Sequence, residues 1–206
     1  LDKLRRDKII PEIPVYVDSP MAVSLTEIFN KHREGLCFDA KFRDYARLDG
    51  DPFGFDYIRY LRSKDESQTL NSRSGPMLII SASGMCEGGR ILHHLRNGLE
   101  KETTTVLLVG YQAQGTLGRK LQDGAKTVKI FGIQHEVWAR VETMHTFSSH
   151  ADKNDLLNFI RAVNPARGVF LVHGDNDARA ALMSSLETKK IANIKCPMPG
   201  ESFDLN

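Results

Sequence analysis

Short apolar runs and longer amphipathic stretches take turns along the chain, the pattern of strands alternating with helices. Residues 15–17 (VYV) follow Pro14 and read as a short strand. Asp18-Ser19-Pro20 then opens a helix, with Ser19 as its cap and Pro20 at the first helical position. Met21, Leu25, Ile28 and Phe29 fall on one side of it as the predicted apolar face. Residues 35–60 carry Phe38, Phe42, Tyr45, Phe53, Phe55, Tyr57 and Tyr60 around a turn at 49–52, and read as a loop-rich edge packed by its rings. Ser63 and Glu66 have the spacing of a capping box, so a short helix should run from there toward Asn71.

The middle of the chain repeats one pattern twice. Residues 77–80 form a strand, SASGMCEGG (81–89) a loop, and Ile91, Leu92, Leu95 and Leu99 the apolar face of a helix. Residues 104–109 form the next strand, followed by GYQAQGT and a helix that starts near Thr116 and carries Arg119 and Lys120 one turn in. After Gly124 the pattern changes: 127–131 and 137–141 read as strands, and 126–144 as a hairpin with Val137, Ala139 and Val141 on one face. A further helix follows, capped by Asp152 with Asp155 at its third position and Leu156, Ile160 and Val163 on one face. Pro165 and Gly168 end it, 169–172 (VFLV) read as a buried strand, and a helix over 178–189 and a strand near Ile194 close the chain. Such alternation predicts the α/β class with a mainly parallel sheet flanked by helices.

Composition narrows this only a little. With 206 residues, 41% of them apolar and 26% charged, the chain can bury one large core or one core and part of another. A net charge of +2 neither requires nor excludes a nucleic-acid partner, because a local basic groove can hide inside a balanced total. No apolar run reaches the roughly 18 residues of a membrane span, and 1–10 (LDKLRRDKII) hold no signal-peptide core. The chain opens on Leu in mid-pattern, which reads as a piece of a longer protein. Cys37, Cys86 and Cys196 lie far apart, so a structural zinc knuckle is not expected and a reducing, cytoplasmic compartment is.

The candidate chemistry lies in the loops. A strand, a Gly/Ser loop and a helix start together cradle phosphate oxygens with backbone N–H groups. Ser19, Ser81, Ser83, Gly84, Gly110, Gly115 and Thr116 stand in such loops, and two of them after neighbouring parallel strands would converge on one edge suited to a phosphodiester chain. Neither loop is a nucleotide fingerprint: Gly84, Gly88 and Gly89 do not fit GxGxxG, and Thr116 stands where a P-loop needs Lys. His93 and His94 are adjacent on a helix, cannot share a metal, and read as structural or surface residues. His150, in the polar loop 147–152, lies at the positive end of a helix, and His173 just past the end of a strand.

FSSHAD and LVHGD (147–152 and 171–175), together with VDSPMA, SASGM and GYQAQGT, resemble the β-CASP branch of metallo-β-lactamase-fold nucleases, from about Ile13 to Asp177. The resemblance implies a β-CASP domain over 1–124 and the C-terminal part of a metallo-β-lactamase αββα domain over 125–206. It implies a zinc-dependent ribonuclease in which His150 matches the motif B histidine that protonates the leaving group. His173 matches the motif C zinc ligand, and the loop residues named above face RNA phosphates. No HxHxDH motif and no motif A acid occur in the chain, so about half of the catalytic centre is missing. Two zinc ions are therefore expected in a full-length enzyme, while this piece is expected to hold none and to be inactive alone. DNA-processing relatives commonly carry Val at motif C, so His173 favours RNA; a non-catalytic RNA-binding scaffold is the third reading. The implied partners are RNA and a second copy of the chain covering apolar strands near 169–172, with no membrane.

Overall fold

The computed structural model describes residues 1–32, 38–49, 58–148 and 150–204. The predicted turn at 49–52, the rings of Phe53, Phe55 and Tyr57, and Cys37 lie outside the described residues or at their margin. The chain forms two compact units, Leu1–Ser148 and Ser149–Asn206.

In the first unit β1 (Val15–Asp18) is the middle strand of a parallel sheet, between β2 (Ile58–Tyr60) and β3 (Leu78–Ser81). All four of its residues are buried. A central parallel strand is covered on both faces, which is why VYV is a continuous apolar run rather than an alternating one. Helix α1 (Asp2–Arg6) precedes it and α2 (Pro20–His32) follows.

Helix α2 departs from the expected packing. Met21, Leu25, Ile28 and Phe29 are 73%, 47%, 55% and 42% exposed, while Val23 is buried. Helical period tells which residues share a side, not which side the sheet covers. Residues 40–49 depart further, forming α3 (Ala40–Asp49) instead of a loop-rich edge. Asp39 Oδ1 accepts the Phe42 N–H at 2.7 Å, an N-cap. Phe38, Phe42 and Tyr45 then stack along one side, ring centroids 4.5 and 6.2 Å apart, as residues four and three apart in a helical stretch do.

The capping box predicted at Ser63 is present and starts α4 (Lys64–Thr69). Beyond β3 come α5 (Ile91–Gly98), β4 (Thr105–Leu108) and α6 (Leu117–Gln122), then β5 (Thr127–Ile130), β6 (Ile133–Glu136) and β7 (Arg140–Thr143). Leu95, Leu99, Leu108, Leu117, Leu121, Val128, Ile130 and Ala139 make one core among them. The predicted hairpin needs correcting. Strand β5 pairs antiparallel with β6, and β7 pairs parallel with β4. Phe131 (φ 52°) and Gly132 (φ 80°) are both left-handed, so a two-residue turn closes the hairpin at once. The alternation of Val137, Ala139 and Val141 instead lines the core on the way into β7. Because these strands pack in that core, the compact units divide at 148/149.

The second unit holds α7 (Lys153–Val163), β8 (Val169–Phe170), α8 (Asn176–Thr188) and β9 (Ile194–Lys195), with β8 and β9 parallel. Leu157, Leu171 and Leu186 are its buried centre, lined by Ile160, Val169, Leu182 and Ile194. Helix α7 therefore buries Leu157 with Ile160, while Leu156 and Val163 of the predicted face are 37% and 56% exposed. The buried strand expected over 169–172 is shorter, with Val172 61% exposed. Parallel pairing dominates in both units, as the α/β expectation has it. Among the described residues no helix is long and apolar enough to cross a membrane.

Truncating the buried Leu121 to Ala should cost about 2–5 kcal/mol, whereas Leu25→Ala on the open side of α2 should stay within about 0.5 kcal/mol. Urea unfolding of the two variants checks this; comparable losses would mean that α2 buries the face assigned from its period.

Candidate functional site

A carboxylate ends the central strand of the first unit. Asp18 is fully buried, an expensive place for a charge unless donors surround it. Ser67 Oγ, Arg90 Nη1 and His94 Nε2 each lie 2.6 Å from its oxygens. Burial pushes the carboxyl pKa up, but the hydrogen bonds from Ser67, Arg90 and His94 and the charge of His94 outweigh it and hold the group below its ordinary 3.8. Arg90 also donates to the carbonyls of Leu61 (3.1 Å) and Arg62 (2.8 Å), so one guanidinium joins β1, the end of β2 and the start of α5.

This cluster escaped the sequence reading, which left His94 as a structural or surface residue. Two signals pointed to it. Asp18 is the single charge in a fully buried strand, and Arg90 and His94 are four apart, on one side of a helical turn. His93 turns away, as expected of its neighbour, and its ring lies 4.9 Å from that of Phe131. Burial lowers its pKa, helped by the charges of Arg96, Lys64 and His94.

Around Asp18 the loop residues take their places. Ser19 is buried, and its Oγ accepts the Ala22 N–H at 3.3 Å, so its hydroxyl serves the helix start. Ser81 Oγ donates to the Asp18 carbonyl at 3.0 Å. Ser83 Oγ accepts from the amides of Glu87 and Gly88 at 3.2 and 3.3 Å, folding its loop on itself. Gly84 is exposed at the tip. Cys86 is buried, and burial, with the charge of Glu87, pushes its thiol up to about 11.

Strands β3 and β4 are not hydrogen-bonded neighbours, contrary to the expectation that brought their loops together. The loops meet nonetheless, because side chains and amides stitch them. Gln112 Nε2 donates to the Gly84 carbonyl at 3.0 Å, and the Gly118 amide donates to the Met85 carbonyl at 3.0 Å. Glu87 Oε1 accepts the Leu117 amide at 2.5 Å, so a carboxylate of the protein already sits at the start of α6. Thr116 Oγ1 caps that helix through the Arg119 amide at 3.2 Å. Gly110 and Thr116 are half-buried, and Gly115 is exposed.

The two histidines of the sequence reading both lie in the second unit and both are exposed. His150 stands two residues before Asp152, the cap of α7. Asp152 Oδ1 accepts the amides of Asn154 (2.7 Å) and Asp155 (2.9 Å), so the first free donors of α7 are engaged. His173 has a left-handed backbone, φ 67°, uncommon for a residue with a side chain though less so for histidine than for most. Among the described residues no three His, Cys, Asp or Glu side chains gather closely enough to hold a metal ion. The described residues therefore do not by themselves fit a zinc centre, and His173 can supply at most one ligand.

Comparison with known proteins matches two family models and several relatives. A family model described as Beta-Casp domain matches residues 1–121, and one described as Zn-dependent metallo-hydrolase RNA specificity domain matches residues 134–197. Ribonuclease TTHA0252 of Thermus thermophilus is 34% identical over 84% of this chain and 39% of its own length. Transcription termination factor FttA of Methanosarcina mazei is 30% identical over 95% of the chain and 32% of its own length. An RNase J-like protein of Methanocaldococcus jannaschii is 30% identical over 80% and 36%. The chain thus spans between 32% and 39% of the length of these relatives.

Because the folded pKa of Asp18 lies below its unfolded value, its stabilisation is complete above 3.8 and is lost as pH falls through the lower folded value. Asp18→Asn should destabilise the first unit by about 1–3 kcal/mol at neutral pH, because it weakens the buried hydrogen bonds from Ser67 and His94 and leaves the half-buried Arg90 without its counter-charge. The gap between parent and variant should narrow below pH 3.8. Urea unfolding at pH 7 and pH 3 measures both; a variant as stable as its parent at pH 7 would contradict the role given to Asp18.

Proposed function

The chain belongs to the β-CASP family of metallo-β-lactamase-fold RNA nucleases, and from that membership we propose that it is the RNA-gripping, proton-donating part of a zinc-dependent ribonuclease. In this reading residues 1–124 are the β-CASP domain and 125–206 the C-terminal part of the metallo-β-lactamase domain, a division supported by the matches at 1–121 and 134–197. The observation that carries the reading is the stitched pair of loops, which presents exposed backbone at Gly84 and Gly115 from two different sheets. Ser19, Ser81, Ser83, Gly110 and Thr116 shape that edge. Their hydroxyls are largely engaged within the protein, so backbone amides carry the phosphate contacts.

Hydrolysis of a phosphodiester needs a proton for the departing oxygen. His150, exposed in its loop, is the group proposed to give it. His173 is the one zinc ligand proposed from this chain, toward a two-ion centre whose other ligands lie outside these residues. Alone, the 206 residues hold no stable zinc pair and cleave no RNA in this reading. The apolar surface near 169–172, where Val172 is 61% exposed, is proposed to be covered by a second copy of the chain, in a cytoplasmic setting.

Titration with single-stranded RNA should shift the amides of Gly84 and Gly115 in NMR spectra; perturbation confined to another face would reject the loop edge. In the enzyme carrying its full metal centre, His150→Ala should lose on the order of 10² to 10⁴ in rate while keeping zinc and RNA. His173→Ala should instead lose metal. Metal analysis of both variants separates the roles, and equal zinc loss would reverse the assignment of His150.

A further inference from the structure

Gln112 is 2% exposed, in a loop whose neighbours are open to solvent. Its two Nε2 hydrogens go to different loops: one to the carbonyl of Gly110 beside it, one to the carbonyl of Gly84 across the gap, both at 3.0 Å. Its Oε1 is buried without a partner, a costly state that is kept only where something else requires the side chain to lie there. The space it needs comes from Gly118. A Cβ on Gly118 would stand 1.8 Å from Gln112 Oε1 and 3.0 Å from the Met85 carbonyl. Gly118 is glycine for room, since its backbone is not left-handed. With no side chain, its amide reaches that same Met85 carbonyl at 3.0 Å. Two bonds from two residues therefore grip adjacent carbonyls, Gly84 and Met85.

We propose that Gln112 is a positioning residue for RNA binding, which holds the exposed backbone of the SASGM and GYQAQGT loops at a fixed separation, and that Gly118 is its obligatory complement. This role rests on the RNA reading above. Buried as it is, Gln112 touches no RNA; it acts through the place of Gly84 and Gly110.

The test uses Gln112→Met, which keeps length and apolar bulk but removes both donors, together with Gln112→Ala, Gly118→Ala and the Ala/Ala double variant. Affinity for a labelled single-stranded RNA is read by fluorescence anisotropy, with far-UV circular dichroism and the melting midpoint as checks on folding. Gln112→Met should fold and bind RNA about tenfold more weakly. Gly118→Ala should lose affinity in the parent background but cost clearly less once Gln112 is Ala, because the 1.8 Å collision is gone and only the 3.0 Å approach to the Met85 carbonyl remains. A side chain that merely fills space would leave binding by Gln112→Met unchanged, and that result, or additive losses in the double variant, overturns the proposal. If the unsubstituted protein binds no RNA, the RNA reading falls and this role with it; parental binding with undiminished binding by Gln112→Met removes this role alone.

Discussion

One buried carboxylate governs the architecture of the first unit. Asp18 ends the central strand with no exposure to water, and its charge survives there because three side-chain donors converge on it. Those donors come from α4, the start of α5 and α5 itself, so satisfying one charge fixes where these elements lie. Removing a single donor would leave the others paid for in desolvation and poorly repaid, which makes the cluster all-or-none. The residue after Asp18 opens α2, and the residue opposite it in β3, Ser81, opens the first glycine loop. Two of the candidate loops thus start from the paired strand ends at Asp18 and Ser81.

A second layer of order sits on that base. The loop after β3 is closed by Ser83 and joined to the loop after β4 by Gln112, Gly118 and Glu87. Hydrogen bonds between loops do here what sheet pairing does in a simple doubly wound fold. Glu87 also limits where an anion can sit: with the Leu117 amide taken by a carboxylate, α6 offers its first turn to no phosphate, and the exposed backbone at Gly84 and Gly115 is what remains.

Features encoded by neighbours in sequence were legible from the residues alone. The capping boxes at Ser63 and Asp152, the strand at 15–17 and the family motifs each need only a few adjacent residues to declare themselves. Features decided by tertiary contact were not. Helical period grouped Met21, Leu25 and Ile28, yet the sheet covers the opposite side of α2; it grouped Leu156 with Ile160, yet Leu157 is the buried one. The rings at 38, 42 and 45 have helical spacing that was hidden by the glycine- and proline-rich stretch behind them. The tight turn of the hairpin is hidden in the sequence because Phe131 is an unusual residue for a left-handed turn position. The role of His94 is hidden in the sequence because its partner lies 76 residues away.

The central claim is that an RNA chain runs along the edge made by the two stitched loops. Photo-crosslinking with 4-thiouridine-substituted RNA, followed by peptide mapping, tests it most directly. The account places adducts in the peptides spanning 82–89 and 109–118. Adducts restricted to α3 or to the β5–β6 hairpin, with those loops unmarked, would contradict it.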